Sequence, residues 1–355
     1  MAYDNHHYNP KLLLRPWRTW IDGNHLIYEL RLINDKAYGE WVGLNETSCE
    51  RHLYNLSDDA IDPKIIEKTI NFDIDNQSGI VINKLRNGDA ITSINANALA
   101  VMISYLRLRN PGALKMISNT YEELIVDKFI WDLVFRIDDC LGDLDIDLIT
   151  DDWLHNILAS KKARDIARIS VTDNALQHYA EIIFHSEKFI IGSGADRFLL
   201  SDRPVIVNGN LHGQWHLFLP ISPTQVLCCF SKGHDIETFK NNLRDSTFHK
   251  NVVEGINAQS IRQHVKFVYG DPSQKLFFEK YALEYKDELN HDEKMMEMAK
   301  HSVQNSEKMS SELEKEFYDG IEKLKSQNFS NDIIMRGLIE SSFDALMKER
   351  CSHIS

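Results

Sequence analysis

The sequence predicts an α+β fold: a helical layer packed on a small, mostly antiparallel sheet, extended at its C-terminus by a helical hairpin. Three observations lead there. Apolar runs of strand length occur near the start and again between residues 188 and 230. The stretch between them carries apolar residues at helical spacing. Beyond about Leu289 the composition turns to charged, Met-rich helix. With 355 residues, 43% of them hydrophobic, the chain can bury one large core or two modest ones.

Residues 1–60 form a strand-rich opening segment. Asn24 to Leu32 (NHLIYELRL) and Glu40 to Leu44 read as strands, parted by the polar Asn34–Asp35–Lys36. A helical middle, 61–187, follows. Ile65, Ile66, Ile70, Ile74, Ile80, Val81 and Leu85 recur at helical spacing, and Pro63 suits a first turn after Asp62. A second helix runs from Ser93 to Arg109, with Leu99, Met102, Ile103 and Leu106 as its apolar face, and Asn110–Pro111 ends it. Tyr121–Ile137, Asp151–Ala167 and Asn174–His185 supply three more, with Asp151 and Asp173 as caps.

From 188 to 232 the pattern is β again. Lys188–Ile191 and Arg197–Val207 flank a Gly-Ser-Gly-Ala-Asp stretch with the chemistry of a β-turn, and His216–Leu219 and Gln225–Phe230 add two strands. Residues 233–285 close the core with a helix over Ile256–Val268, broken by Gly270–Asp271–Pro272. The remaining 286–355 read as a helical hairpin appendage. Met296, Ala299, Val303, Leu313, Phe317, Ile321 and Leu324 form its apolar stripe, Asn328–Ser330 interrupt, and Asp332–Met347 make the last helix. Such a stripe packs on the parent domain, or serves within 290–355 as an arm for homo-oligomerisation or a protein partner.

Forty basic against 53 acidic residues give a net charge of −13. That balance opposes general coating of nucleic acid or anionic membrane, so a nucleic-acid partner is disfavoured, with a local basic cleft left open. The opening MAYDNHHYNP has no cationic stretch leading into an apolar run, and no apolar stretch approaches the ~20 residues of a membrane span. The expectation is a cytoplasmic protein with no membrane partner. Cysteines at 49, 140, 228, 229 and 351 show no CxxC spacing, which fits reduced, mostly buried thiols.

Two segments carry a recognisable pattern. One is His7–Tyr8–Asn9–Pro10–Lys11–Leu12–Leu13–Leu14–Arg15–Pro16–Trp17; the other is Phe198–Leu199–Leu200–Ser201–Asp202–Arg203–Pro204–Val205, followed by Leu219–Pro220–Ile221–Ser222–Pro223. Their order and spacing resemble the bacterial family called domain of unknown function 4238 over roughly residues 6–285. Arg109–Asn110–Pro111 fits that family's Arg-x-Pro element, and Glu67 lies where it often has a helical glutamate. Lys11, Trp17, Arg203 and Ile221 depart from the usual Gln, Phe, Asn and Leu. The resemblance implies a shared core and a site location, and no activity.

Imidazole, carboxylate, hydroxyl and guanidinium groups gathered in one cleft can activate water and hold a phosphate. His7, Glu67 and Asp202 are the candidate catalytic residues; Arg109, Ser201 and Lys11 are the candidate substrate contacts. The bland reading is that Ser201–Asp202 caps a turn and His7 anchors the terminus. Arg109, ending an apolar helix, suits either a buried pair with Asp202 or Glu67 or a grip on a ligand phosphate.

No cofactor is specified by sequence, though a divalent metal would suit this set. The acidic run from Asp138 to Asp152 has Leu148 and Leu154 where a calcium loop needs Gly and Glu, and Asp73 and Asp75 fit no better. His212 and His216, four apart, lie in a strand-like stretch where a metal pair is disfavoured. Two functions stay open: a metal- or general-base-assisted phosphodiester hydrolase, nuclease-like, in a toxin or phage-defence setting, or a non-catalytic ligand-binding or protein-interaction module recruiting a partner through its C-terminal helices. The defence setting rests on the resemblance alone.

Overall fold

The structure is a computed structural model and describes residues 5–56, 64–66, 68, 72–114, 131–141, 165, 169, 179–209, 211, 213–286, 311–326, 337–339, 341, 342 and 345. The chain divides into two compact units. The first comprises Met1–Leu53, Asn71–Ala113 and Ala175–His291; the second comprises Tyr54–Ile70, Leu114–Asn174 and Asp292–Ser355.

The opening segment folds as β1 (Asn5–His7), a single turn α1 (Lys11–Leu14), then β2 (Arg18–Ile21), β3 (Asn24–Ile33), β4 (Lys36–Gly43) and β5 (Cys49–Arg51). Strand β4 begins earlier than the sequence predicts. Asn34 and Asp35 both take positive φ, 49° and 62°, and turn the chain in two residues, a conformation their short polar side chains tolerate. Helices α2 (Phe72–Asn87) and α3 (Ser93–Leu108) follow. Thr92 and Asn95 cap α3 reciprocally, and its buried face includes Leu99, Met102, Ile103 and Leu106, as the spacing predicts.

After α4 (Trp131–Leu141) and the short α5 (Ala180–Phe184) come β6 (Glu187–Gly192), β7 (Leu200–Ser201), β8 (Ile206–Gly209), β9 (Trp215–Ser222) and β10 (Gln225–Phe230). The first unit then closes with α6 (Ile236–Asn242), α7 (Ser246–Gln263), β11 (Val268–Gly270) and α8 (Lys275–Glu284). One sheet runs β6-β10-β9-β8; another runs β2-β3-β11-β7 with β4 also on β3; β1 pairs with β5. Each of these pairings is antiparallel. The class is α+β.

Several elements differ from expectation. Arg197–Val207 is not one strand: it supplies β7 to one sheet and β8 to another. Ser201 Oγ accepts the Arg203 amide hydrogen and donates to the Arg203 carbonyl, both at 2.8 Å, and Pro204 has no N–H for a ladder, so the strand must break. The glycine-rich stretch after β6 does not make a hairpin, since β6 pairs with β10. Helix α7 starts at Ser246, well before Ile256, where Asp245 accepts the Phe248 amide hydrogen at 2.8 Å.

Two apolar clusters fill the first unit. Phe198, Ile206, Phe218, Val226, Cys228 and Ile256 belong to one; Leu30, Leu199, Ile261, Val268 and Phe278 belong to the other. Adjacent Phe198 and Leu199 serve opposite clusters, as alternation in extended chain requires. In the second unit, Leu133, Val134 and Ile137 of α4 are buried, as are Phe317 and Ile321 of α9 (Ser311–Lys325). Arg136 of α4 pairs with Glu314 of α9. The sequence boundary at 285–286 falls near the end of the first unit, and residues 292–355 share the second with 114–174. Among the described residues, no helix is long and apolar enough to cross a membrane.

Candidate functional site

Strand β1 sets His7 directly opposite Cys49 of β5. Arg109, at the end of α3 and 2% exposed, does not grip Asp202. Its Nη1 donates to Asp75 Oδ1 at 2.7 Å and its Nη2 to Oδ2 at 3.3 Å, a bidentate pair with α2. Its Nε and Nη2 donate to the His7 carbonyl. The guanidinium therefore ties α2, α3 and β1 together, and Asp75, set aside as a calcium ligand, is its partner.

Asp202 is buried and similarly occupied. Its Oδ1 accepts the Val265 amide hydrogen at 2.9 Å, and its Oδ2 accepts those of Lys266 and Phe267 at 2.6 and 3.2 Å. The Ser201 carbonyl accepts from Asn9 Nδ2 at 3.1 Å, and its hydroxyl closes the turn at Arg203. Lys11 Nζ donates to Asn45 Oδ1 at 2.6 Å. The two family segments thus meet through Asn9 and Ser201, while Arg109 binds the first segment from behind. Glu67 lies outside the described residues, as do His212 and most of the acidic run from Asp138.

A buried polar network that sequence reasoning missed lies beside β1. Thr47 Oγ1 donates to Glu29 Oε2 and lies 2.8 Å from Tyr269 Oη, which also meets Ser48 Oγ. Burial raises the pKa of Glu29, and it raises both Tyr8 and Tyr269, with the nearby Asp202 charge adding to the latter two. Ser48 holds φ at +48°, a costly conformation for a non-glycine residue. The available signal was Glu29, a charge inside the apolar run of β3.

His7 is the group whose state bears most on chemistry. Burial, with Lys11 and Arg109 nearby, lowers its pKa from 6.5 to about 4, against backbone groups of Thr47 and Ser48 that act the other way. The imidazole is neutral at physiological pH, and its Nδ1 is buried without a hydrogen-bond partner. Asn9 Oδ1 is in the same condition. Burial raises the Cys49 thiol while Lys11 and Lys266 pull it down. Such an arrangement can bind a polar group or accept a proton. Among the described residues, no group of three His, Cys, Asp or Glu side chains is placed to hold a metal.

No curated protein and no solved structure matches the chain. Residues 5–274, which contain β1, the Ser201–Asp202 turn and Arg109, match the family described as protein of unknown function, DUF4238. The chain belongs to the DUF4238 family.

Proposed function

We propose that the chain is a non-catalytic binding module that holds a small polar ligand beside β1. The supporting observation is that His7 Nδ1 and Asn9 Oδ1 are buried without partners, while Asp202, Ser201 and Arg109 are spent on their own chain. A buried polar atom left unpaired costs roughly 1–3 kcal/mol, which a ligand supplying the missing bonds recovers. Native mass spectrometry of the purified protein tests this. A bound species lost in Asn9→Leu supports it; metal-dependent cleavage of RNA or DNA that disappears in His7→Gln overturns it. A protein partner or second copy docking through 290–355 would use the side of α9 away from its buried Phe317 and Ile321.

A second reading, the nuclease-like hydrolase in a toxin or phage-defence setting, is favoured by one feature. A neutral imidazole with a vacant ring nitrogen is what a general base requires. In that reading His7 takes the proton from water, Lys11 attracts the phosphate, and Asp202 holds the chain rather than the substrate. Loss of cleavage in His7→Ala, with folding kept, would establish it.

A further inference from the structure

The strand pair β1–β5 carries a chemistry that neither reading uses. His7 and Cys49 are direct partners in an antiparallel pair, so their side chains leave the same face with Cβ atoms roughly 4.5–5.5 Å apart. The Cys49 thiol is partly exposed and donates to the Asn45 carbonyl at 3.6 Å. The same asparagine's side-chain oxygen holds the Lys11 ammonium at 2.6 Å, which brings that cation beside the sulfur. Lys266, which also pulls the thiol pKa down, pairs with Glu50, the neighbour of Cys49, at 3.4 Å. His7 Nδ1 is buried with no hydrogen-bond partner, so the thiol has to turn from the Asn45 carbonyl to reach it. Of the other described cysteines, Cys228 and Cys229 are buried in β10, and Cys140 has none of these neighbours among the described residues.

We propose that Cys49 and His7 form a thiol–imidazole pair that reacts with anionic carbon electrophiles. The neutral ring takes the thiol proton as the sulfur lone pair forms a C–S bond at the electrophilic carbon. The leaving group departs with its bonding electrons. Burial, Lys11 and Arg109 disfavour the imidazolium, which passes its proton to the leaving group or to water. Lys11 and Lys266 select for a carboxylate on the electrophile, a local preference opposite in sign to the acidic molecule around it. The inference does not depend on the binding reading: a non-catalytic module can carry a reactive thiol.

Alkylation of the full-length protein tests it, with the modified cysteine mapped by mass spectrometry. Iodoacetate and iodoacetamide, differing in charge, are the two probes. Cys49 is expected to react first, and faster with iodoacetate than with iodoacetamide. His7→Gln is expected to slow both reagents about tenfold or more, and Lys11→Met to slow iodoacetate more than iodoacetamide and so remove the preference between them. Cys49 reacting no faster than Cys140, or at a rate His7→Gln leaves unchanged, overturns the proposal. Should His7→Gln fail to fold, the Lys11→Met comparison decides: an unchanged reagent preference overturns the anionic selection and with it the site.

Discussion

Asp202 shows what a carboxylate in a family motif can be for. Its two oxygens accept three consecutive amide hydrogens from Val265, Lys266 and Phe267, holding a segment that has no ladder of its own. Asp202→Asn removes the charge from those bonds and sets an amide donor against amide donors. A loss of about 2–4 kcal/mol is expected by urea unfolding, whether or not any ligand is bound. His7 gives a pH signature. Its folded pKa of about 4 lies below the 6.5 of the unfolded chain, so its contribution is present above pH 6.5 and lost as pH falls towards 4, where the unfolded state binds the extra proton. Allowing for partial exposure, the loss is about 2 kcal/mol. His7→Gln should flatten the pH dependence of stability across that window; an identical curve would remove the assignment.

Elements follow from residue chemistry that the sequence displays unevenly. Helix α3 and strand β10 were legible because apolar spacing and Pro act within a few residues, whereas the helix expected over Ile256–Val268 ends at Gln263 and Val268–Gly270 is strand β11. The split of β7 from β8 was not legible either, since an apolar run says nothing about which sheet each half joins. The site was legible to the same extent. Asn9 and Ser201 do bring the two motifs together, but among the described residues Arg109 pairs with Asp75, 34 positions earlier on another helix, and pairing across elements leaves no periodic trace. The β8–β9 hairpin offers a test at this scale. Gly209 has φ of +88°, and a Cβ there would stand 2.3 Å from the Gln214 carbonyl oxygen, backbone that cannot swing aside. Gly209→Ala is expected to cost about 2–4 kcal/mol and lower the melting temperature measured by circular dichroism.

At the scale of the molecule, two units share one chain, and each is assembled from distant stretches of sequence. Because residues 292–355 belong with 114–174, truncation after His291 should do more than remove an appendage. The second unit loses the helix bearing Phe317 and Ile321, so limited proteolysis is expected to cut within 114–174 while the first unit stays protected; equal protection in the truncated chain would show that segment 114–174 folds without it. The pairing of β3 with β11 matters for how the chain is made. Leu30 faces Val268 across that ladder, so part of an early strand waits for a partner encoded about 240 residues later. At roughly 5–20 residues per second of synthesis, that is about 12–50 s with an apolar strand lacking its neighbour. Over that interval the nascent chain is a natural client for the holding chaperones that meet polypeptides at the ribosome.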